Sequence, residues 1–300
     1  MVTANLTRRL AVITGGNSGL GFHTAAKILQ QGNWDVVIAC RNPSTAAKAA
    51  ETLRSNSPLT STVTTLPLDI SSASSISAFI PLVPRPINLL LLNAGVHPTS
   101  LRHTEDGLEE AFGVNHIGHF RLTLGLIENE KIDINDGRVV SIASGMHTKA
   151  KFDFDDLKGE KGFNAGKAYS NSKLANMWFI VELAEYFKEK GWNVTANSLC
   201  PGYVPTTGLS RDYPRILQKL APYVMTLIIK ETPLPDSIRH IEWVSTSPDL
   251  DDISGRWFDV AVGQKVTEKP LGSDESRDQT KARRLWNVSC DITGLERFKR

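Results

Sequence analysis

The stretch LAVITGGNSGLGFHTAAKILQQG, from Leu10 to Gly32, decides the fold. Its first five residues are apolar and partly β-branched, as in a buried strand. The residues after the glycines favour a helix that ends at Gly32. Between them lies a turn of the pattern TGxxxGxG, from Thr14 to Gly21. The sequence therefore predicts a strand, a glycine-rich turn and a helix in immediate succession.

The turn is suited to binding a pyrophosphate. Glycines let the backbone approach a phosphate closely, and the amide groups at the helix start attract its charge. An ordinary glycine-rich turn is the alternative interpretation. A Walker phosphate loop is excluded because Gly-Lys-Ser/Thr does not follow. The dinucleotide contacts predicted in this turn are Gly15, Asn17, Ser18, Gly19, Leu20 and Gly21.

The chain beyond the turn alternates short apolar runs with longer amphipathic ones. This alternation implies βαβ units and a parallel sheet with helices on both faces. The further predicted strands are Trp34–Cys40, Thr62–Leu68, Ile87–Asn93, Arg138–Ser144, Asn193–Leu199 and an edge strand near Arg256–Val260. The further predicted helices are Thr45–Arg54, Ser71–Val83, Glu105–Glu128, Ala168–Lys190 and Ser237–Ser247. We predict a single α/β domain over residues 1–300, with a Rossmann-type doubly wound parallel sheet.

The composition is that of an ordinary globular protein. Of the 300 residues, 41% are hydrophobic and 22% are charged, which allows an enzyme-sized core. The formal net charge of +2 is too small to predict nucleic acid as a partner. No apolar run reaches membrane-spanning length, and the first residues lack the apolar run of a secretory signal. We expect a cytoplasmic protein without an integral membrane segment.

Metal binding and thiol chemistry are not predicted. The three cysteines form no CxxC pair, so free thiols are expected, and Cys200 has no positive neighbour in the sequence. The aspartates at 153, 155 and 156 lack the glycine and the final glutamate of a calcium loop. Five clustered histidines lack an accompanying carboxylate or cysteine ligand, so packing or hydrogen bonding is expected for them. They are His97, His103, His116, His119 and His147, of which His147 is a candidate for the substrate pocket.

Arg41 stands at the end of the second predicted strand, about 20 residues beyond the last glycine of the turn. A dinucleotide fold places the residue that reads the adenosine ribose there. An acidic side chain would accept the 2′-hydroxyl and repel a 2′-phosphate, whereas Arg41 favours the phosphate. A solvated surface arginine is the alternative. The sequence thus predicts NADP(H) as the cofactor.

Tyr169 and Lys173 lie four residues apart on a predicted helix and share one face. A free tyrosine has a pKa of about 10, and a nearby ammonium lowers it by stabilising the phenolate. A solvated helix face is the alternative. Ser144 and Asn93–Gly95 end two predicted strands at the edge where α/β sheets bind ligands. These residues predict a proton-transfer pair with a serine hydroxyl beside it.

A series of motifs resembles the short-chain dehydrogenase/reductase family in its single-domain branch. In order, they are TGGNSGLG at Thr14, Leu68-Asp69, NAG at Asn93, Asn115, SIAS ending at Ser144, YSNSK at Tyr169 and PGYVPT at Pro201. Three longer segments resemble the branch of retinol dehydrogenases and light-dependent protochlorophyllide reductases. These are VNHIGHF (Val114–Phe120), YSNSKLAN (Tyr169–Asn176) and PGYVPTTGL (Pro201–Leu209).

The resemblance implies a role for each matching residue. Tyr169 is implied to be the general acid, or the base in the reverse direction. Lys173 is implied to hold the nicotinamide ribose and tune Tyr169, while Ser144 orients the carbonyl. Asn115 is implied to hold a water in a proton relay from Lys173. Further implied cofactor contacts are Asp69 at the adenine ring, Ile70, Asn93, Ala94, Gly95, Pro201, Gly202, Val204 and Thr206 at the carboxamide.

The chain departs from the family pattern at two points. In SIAS the residue before Ser144 is not a second serine. Ser18 precedes Gly19, where many members that use a phosphorylated cofactor have Arg or Lys. Arg41 is therefore the main support for NADP(H). The resemblance also implies a homodimer or homotetramer.

The sequence predicts an NADPH-dependent reductase that acts on a ketone, an aldehyde or a conjugated double bond of a mainly apolar small molecule. The cofactor carries the hydride chemistry, and the protein contributes geometry and electrostatics. One alternative is a non-redox use of the same site, such as isomerisation or cyclisation. Another is a cofactor-sensing regulator without turnover. A sensor needs only the nucleotide half, so the combination of Tyr169, Lys173 and Ser144 argues against it.

Two segments near the end of the chain fall outside these motifs. Residues 201–236 are predicted to form a substrate lid, because Tyr203 to Ile229 is rich in large apolar side chains and follows the strand that ends at the cofactor edge. A packed core helix is the alternative there. Residues 266–300 are polar and charged, and we predict a variable tail without an assigned role.

Overall fold

The strands form one eight-stranded sheet in a computed structural model that describes residues 8–205, 231–259, 267–269 and 272–300. Their order is β3-β2-β1-β4-β5-β6-β7-β8, and only the pair β7 and β8 is antiparallel. The strands are β1 (Arg9–Thr14), β2 (Trp34–Cys40), β3 (Val63–Pro67), β4 (Leu89–Leu92), β5 (Gly137–Ile142), β6 (Val194–Cys200), β7 (Trp257–Asp259) and β8 (Thr267–Glu268). The order reverses between β1 and β4, which creates a crevice at their carboxyl ends.

The helices of the described residues follow the strands in alternation. They are α1 (Gly19–Leu29), α2 (Pro43–Ser55), α3 (Ala73–Phe79), α4 (Glu110–Phe112), α5 (His119–Glu128), α6 (Ala165–Lys190), α7 (Leu234–Thr246), α8 (Asp274–Arg277) and α9 (Gln279–Thr293). A π-helix, Gly113–Gly118, joins α4 to α5. Short 3-10 turns are formed by Ile80–Leu82, Gly145–Lys149, Pro248–Leu250 and Glu296–Phe298.

The central strand β1 shows why helices cover both faces. Leu10 and Val12 pack in a core cluster with residues of α3, α5, α6 and α9. Ala11 and Ile13 point the other way and pack with α1, α2 and α7. A strand buried on both faces reads as a continuous apolar run, because alternate side chains serve opposite cores. The predicted doubly wound sheet in a single α/β domain is therefore confirmed.

The prediction of one helix over Glu105–Glu128 is wrong at its start, and it did not include the π-helix within this range. The α-helix begins at Glu110, because the side chain of Glu109 accepts hydrogen bonds from the backbone N–H groups of Ala111 and Phe112, at 2.8 and 2.9 Å. Those bonds occupy the otherwise unpaired donors of the first turn. The π-helix then interrupts the α-helical pattern, and π-turns of this kind recur at functional sites.

The strand predicted near Arg256–Val260 exists as β7, but it is not the edge of the sheet. The two residues of β8 pair with it on its outer side. Local pattern cannot predict such a pairing, since the partner lies beyond residues 260–266 in the chain.

Residues 272–300 fold onto the domain rather than forming a polar tail. The apolar face of α9 packs against α6, and Trp286 and Cys290 are buried in the main core cluster. On its polar side, Arg283 forms an ion pair with the buried Glu182 at 2.5 Å. The stripe that packs inward recurs at helical spacing and consists of Ala282, Leu285, Trp286, Ser289 and Cys290.

Two further findings hold for the described part of the chain. Within it, no helix combines the length and apolar character needed to cross a membrane. Nor do its histidine, cysteine and acidic side chains form a group of three that could hold a metal ion. All three cysteines, Cys40, Cys200 and Cys290, are buried free thiols.

Candidate active site

The glycine turn leaves open space at the start of α1. Gly15 and Gly19 adopt φ angles of +66° and +53°, which favour glycine. No heavy atom lies within 4 Å of a Cβ built on Gly19. At Gly21, by contrast, a Cβ would lie 2.6 Å from Nδ2 of Asn93. Gly21 therefore lets α1 pack closely on β4, while Gly19 leaves room for a ligand.

The first turn of α1 has no side-chain cap. Ser18 is its N-cap residue, and its side chain makes no capping hydrogen bond. Asn42, Ser72 and Asn164 do cap α2, α3 and α6 through their side chains. The amide groups of the α1 start are therefore available to an anion, and with the open space at Gly19 they fit a pyrophosphate. The residues that would hold it are Gly15, Asn17, Ser18, Gly19, Leu20 and Gly21.

Thr14 joins the end of β1 to the end of β4. Its Oγ1 accepts hydrogen bonds from the backbone N–H groups of Asn93 and Ala94, at 2.9 and 3.0 Å. The side chain of Asn93 returns a bond from Nδ2 to the Thr14 carbonyl oxygen at 2.8 Å. The two predicted cofactor segments are thereby held side by side at the crevice.

The adenosine end of the predicted site is formed by Arg41 and Asp69. Arg41 is exposed, and its Nη1 lies 3.9 Å from Oδ2 of Asp69. Ser71 donates to Asp69 Oδ1 through its backbone N–H and its hydroxyl, at 3.0 and 2.6 Å. Nearby, Asn17 Nδ2 donates to Oγ1 of Thr45 on α2 at 3.0 Å. The end of β2 is thus surrounded by the Arg41 guanidinium, the Asp69 carboxylate and neutral polar groups.

The Tyr169–Lys173 pair lies on the buried side of α6. The two side chains are 6% and 4% exposed, so the solvated helix face is excluded. Lys173 Nζ donates to the carbonyl oxygen of Ile142 at 2.9 Å and lies 5.5 Å from the centroid of the Tyr169 ring. Ser144 follows β5 by two residues and begins the 3-10 turn, where its Oγ accepts the Met146 N–H at 3.2 Å.

The pKa of Tyr169 moves opposite to the direction expected from Lys173. Burial raises it well above the usual value, the neighbouring Cys200 raises it further, and the hydrogen bond with the Ser144 side chain lowers it. Burial also lowers the pKa of Lys173 to about 8. Removal from water penalises each charged form, and the ammonium does not compensate for this at the phenol. Tyr169 is therefore a neutral phenol, which is the form of a proton donor.

Asn115 lies in the π-helix, and its side chain approaches Gly95, as does that of Lys173. Its Oδ1 accepts the Val96 N–H at 2.8 Å, and its Nδ2 donates to the Val96 carbonyl and to Ser172 Oγ, at 3.0 and 2.9 Å. A Cβ on Gly95 would lie 3.3 Å from Asn115 Oδ1 and 3.8 Å from Lys173 Nζ. Gly95, which has no side chain, thus lies between the side chains of Asn115 and Lys173.

Three of the predicted cofactor contacts follow β6 at the same edge of the sheet. Ser237 Oγ donates a hydrogen bond to the carbonyl oxygen of Pro201 at 2.6 Å. Thr232 N donates to the carbonyl of Tyr203 at 2.8 Å, which joins the chain on either side of residues 206–230. Thr206 and most of the predicted lid lie outside the described residues. The three contacts are Pro201, Gly202 and Val204.

Cys200 lies closer to the catalytic pair than its sequence position indicated. Its electrostatic effect reaches both Tyr169 and Lys173, so a positive neighbour exists. Burial, together with the nearby Asp259, nevertheless raises the pKa of its thiol to about 11. A thiolate is therefore disfavoured, in agreement with the expectation.

Three of the clustered histidines lie close to the predicted site, and they pack or form hydrogen bonds as expected. His97 stacks on Tyr169, and His119 bridges Thr14 and Asn115. The spacing of four residues between Asn115 and His119 was the available signal, since it places both on one helix face. His147 does not line an open pocket: it is completely buried, with Nδ1 2.7 Å from the Ser144 carbonyl and its ring against Trp257.

The chain is similar in sequence to proteins of one known family. Residues 9–215 match the sequence profile of the short chain dehydrogenase family. The chain is 35% identical to human retinol dehydrogenase 14 over 96% of its own length and 87% of that protein. It is 31% identical to human polyprenol dehydrogenase, over 96% of this chain and 86% of the relative.

Solved structures show the same fold. A crystal structure of a protein from Mycobacterium paratuberculosis superposes with a TM-score of 0.77 and 27% identity, covering 96% of this chain and 94% of the other. An actinorhodin polyketide ketoreductase with NADPH superposes with a TM-score of 0.62 and 21% identity, covering 87% and 98%. The chain is an oxidoreductase of the short-chain dehydrogenase/reductase family, whose members bind a nicotinamide cofactor, and among them it is similar to retinol dehydrogenases.

Proposed function

We propose that the protein is an NADPH-dependent reductase that converts a carbonyl group, or a conjugated double bond, of a mainly apolar small molecule. The observation that carries this proposal is the convergence of Tyr169, Ser144 and Lys173 at the carboxyl edge of the sheet, with Tyr169 as a neutral phenol. A neutral phenol is prepared to give a proton to an oxygen that becomes an alkoxide. A protonated Tyr169 is the form that carbonyl reduction requires.

NADPH, when bound, supplies the hydride. Tyr169 transfers its phenolic proton to the substrate oxygen, so the carbonyl gains one hydride and one proton and becomes an alcohol. Ser144, which shares a hydrogen bond with Tyr169, orients that oxygen. We expect the ammonium of Lys173, whose Nζ lies 5.5 Å from the centroid of the Tyr169 ring, to hold the ribose and to supply the proton that the phenolate regains.

Cofactor preference and substrate class rest on different observations. Arg41, exposed at the end of β2, supports NADPH because a guanidinium pairs with a phosphate. The relatives named retinol dehydrogenase and polyprenol dehydrogenase are named for apolar alcohols, which supports an apolar substrate. The predicted lid over residues 203–229 also belongs to this proposal, and hydrogen exchange with and without NADPH would test it.

The deciding experiment is to follow NADPH absorbance with a panel of carbonyl compounds, including retinal, long-chain aldehydes and cyclic ketones. We expect oxidation of NADPH with at least one apolar carbonyl and slower oxidation of NADH. Conversion of substrate without NADPH consumption would instead establish a non-redox step, and NADPH binding without any conversion would establish a sensor. The cytoplasmic location and the homodimeric or homotetrameric assembly stay predictions, and size-exclusion chromatography tests the second.

A further inference from the structure

His119 lies between the glycine turn and the catalytic pair, and both of its ring nitrogens are hydrogen-bonded. Nδ1 is 3.0 Å from the carbonyl oxygen of Asn115, and Nε2 is 3.0 Å from Oγ1 of Thr14. A carbonyl oxygen can only accept, so Nδ1 carries the proton and Nε2 accepts from the threonine hydroxyl. The imidazole, which is 2% exposed, is therefore held as one neutral tautomer.

The hydroxyl of Thr14 determines the direction of these bonds. Its oxygen already accepts the N–H groups of Asn93 and Ala94, so it has one proton left to donate. His119 Nε2 at 3.0 Å is nearer than the other acceptor, the carbonyl oxygen of Leu91 at 3.3 Å. The N–H groups that follow β4 thus donate to Thr14, the Thr14 hydroxyl donates to His119, and the His119 ring donates to the carbonyl of Asn115.

The side chain and the carbonyl of Asn115 are held by different partners. Its amide is held by Val96 and Ser172, as described above. Its carbonyl receives the ring N–H of His119 inside the π-helix, where the backbone bonding pattern is shifted by one residue. The ring N–H of His119 therefore fixes this carbonyl from a side chain four residues further along.

We propose that His119 is a positioning residue: it joins the backbone of Asn115, whose side chain lies beside Gly95 together with Lys173 Nζ, to Thr14 at the start of the glycine turn. The inference rests on the proposed reductase function. The hydrogen-bond partners of His119 are Asn115 and Thr14, so it acts through these two residues. Lys173 and His116 are the charged or titratable groups that act electrostatically near it.

A neighbouring histidine provides a matched control. His116 lies on the π-helix, three residues before His119, and is equally buried, but it packs between Phe112 and Phe179 and bonds through Nε2 to Ser289 Oγ at 2.9 Å. It contacts α9 rather than Thr14. A purely structural role for buried imidazoles in this helix would affect both positions alike.

Two conservative variants separate the two bonds of His119. Asparagine places an amide N–H near the position of Nδ1 and keeps the bond to Asn115, whereas glutamine reaches the position of Nε2 and keeps the bond to Thr14. We expect His119→Asn to retain most of kcat. His119→Gln should lose on the order of 10- to 100-fold in kcat, with the KM for the carbonyl and the Kd for NADPH nearly unchanged, because misplacement alone has effects of that size. His116→Gln should retain kcat.

The opposite order of the two variants, or equal losses in His119→Asn and His119→Gln that track their loss of thermal stability, would overturn the proposal. A test independent of turnover is 15N NMR of the histidine ring at pH 7. The expected signal is a neutral His119 with a protonated Nδ1 and an unprotonated Nε2. The opposite tautomer would refute the bond assignment even if the enzyme is active. If the protein fails to reduce any carbonyl but this tautomer is found, the failure lies with the proposed function.

Discussion

The imidazole of His97 stacks on the phenol ring of Tyr169, with ring centroids 4.5 Å apart and an interplanar angle of 28°. Burial lowers the pKa of His97, so the stacked ring is neutral at pH 7. Stacked aromatic pairs add about 0.5–1.5 kcal/mol beyond the area they bury. The contact holds the Tyr169 ring in place by its face.

Tyr169→Phe should therefore remove the proton donor without disturbing the ring. Phenylalanine can keep the stacking on His97, so we expect kcat to fall by about 10²–10⁴-fold, the range typical of general acid catalysis. The Kd for NADPH, measured by fluorescence titration, should stay nearly the same. A variant that keeps most of its rate would remove Tyr169 from the mechanism.

Lys173 should make the rate depend on pH above neutrality. Burial lowers its pKa to about 8, so the ammonium is present below pH 8 and is lost as pH rises through that value. We expect kcat/KM for carbonyl reduction to fall along an alkaline limb with an apparent pKa near 8. Lys173→Ala should impair both cofactor binding and turnover and should lack this limb. A wild-type profile that is flat from pH 7 to 10 would contradict the assignment.

Arg41→Asp should abolish the preference for NADPH. The substitution removes a cation from the expected 2′-phosphate position and adds a negative charge, and a charge-assisted hydrogen bond is worth about 1.5–3 kcal/mol. The ratio of Kd values for NADH and NADPH should fall by at least about tenfold, since about 1.4 kcal/mol is tenfold. Arg256→Asp is the control, because Arg256 is similarly exposed and pairs with Glu268 at 3.3 Å before the start of β7. Equal affinity of the unmodified protein for both cofactors would refute the prediction.

Gly118→Ala should destabilise the fold at the contact between the π-helix and the adenosine end of the site. A Cβ there would lie 2.0 Å from the carbonyl oxygen of Ile70, so the backbone would have to move. Overpacking of this kind costs about 1–3 kcal/mol in free energy of unfolding, which urea denaturation measures. Gly166→Ala is the control, since its Cβ would meet only Asn164 Oδ1 at 3.4 Å in the first turn of α6. Equal stability of the two variants would contradict the close approach.

Asp35 should contribute stability that is lost in acid. Burial raises the pKa of its carboxyl, but hydrogen bonds from Arg85, Thr62 and Arg8 dominate and lower the pKa from 3.8 to about 2. A lowered pKa in the folded state stabilises the protein above pH 3.8, and that contribution disappears as pH falls through about 2. It amounts to roughly 2 kcal/mol of the free energy of unfolding.

The measurement for Asp35 is urea unfolding at pH 7, 4 and 2.5. Asp35→Asn should lower the free energy of unfolding at pH 7. The difference in free energy of unfolding between this variant and wild type should be smaller at pH 2.5. Asp274→Asn is the control, because Asp274 is fully exposed and its pairing with Arg277 is a surface contact of small energetic value. A difference between wild type and Asp35→Asn that is constant with pH would show that the carboxylate charge is not responsible.

Local patterns were sufficient for most of the fold and for placing Tyr169 and Lys173 side by side. The apolar run before the glycine turn, the alternation of runs and the four-residue spacing of Tyr169 and Lys173 are all properties of neighbouring residues. Hydrophobic period and turn chemistry act over a few residues, so they can be read without knowing the rest of the chain. The apolar stripe of α9 is also a local pattern. We did not predict this helix because polar and charged residues surround the stripe in the sequence.

The sequence by itself determined the strand–turn–helix unit, the doubly wound sheet and the side chains that meet at its edge. Only the tertiary structure decided the direction of the pKa shift at Tyr169, the pairing of β8 outside β7 and the position of His119. Each of these depends on groups far apart in the chain, as for Thr14 and His119, which are separated by 105 residues. Burial and hydrogen-bond partners belong to the packed chain, because removal from water depends on every element that covers a residue.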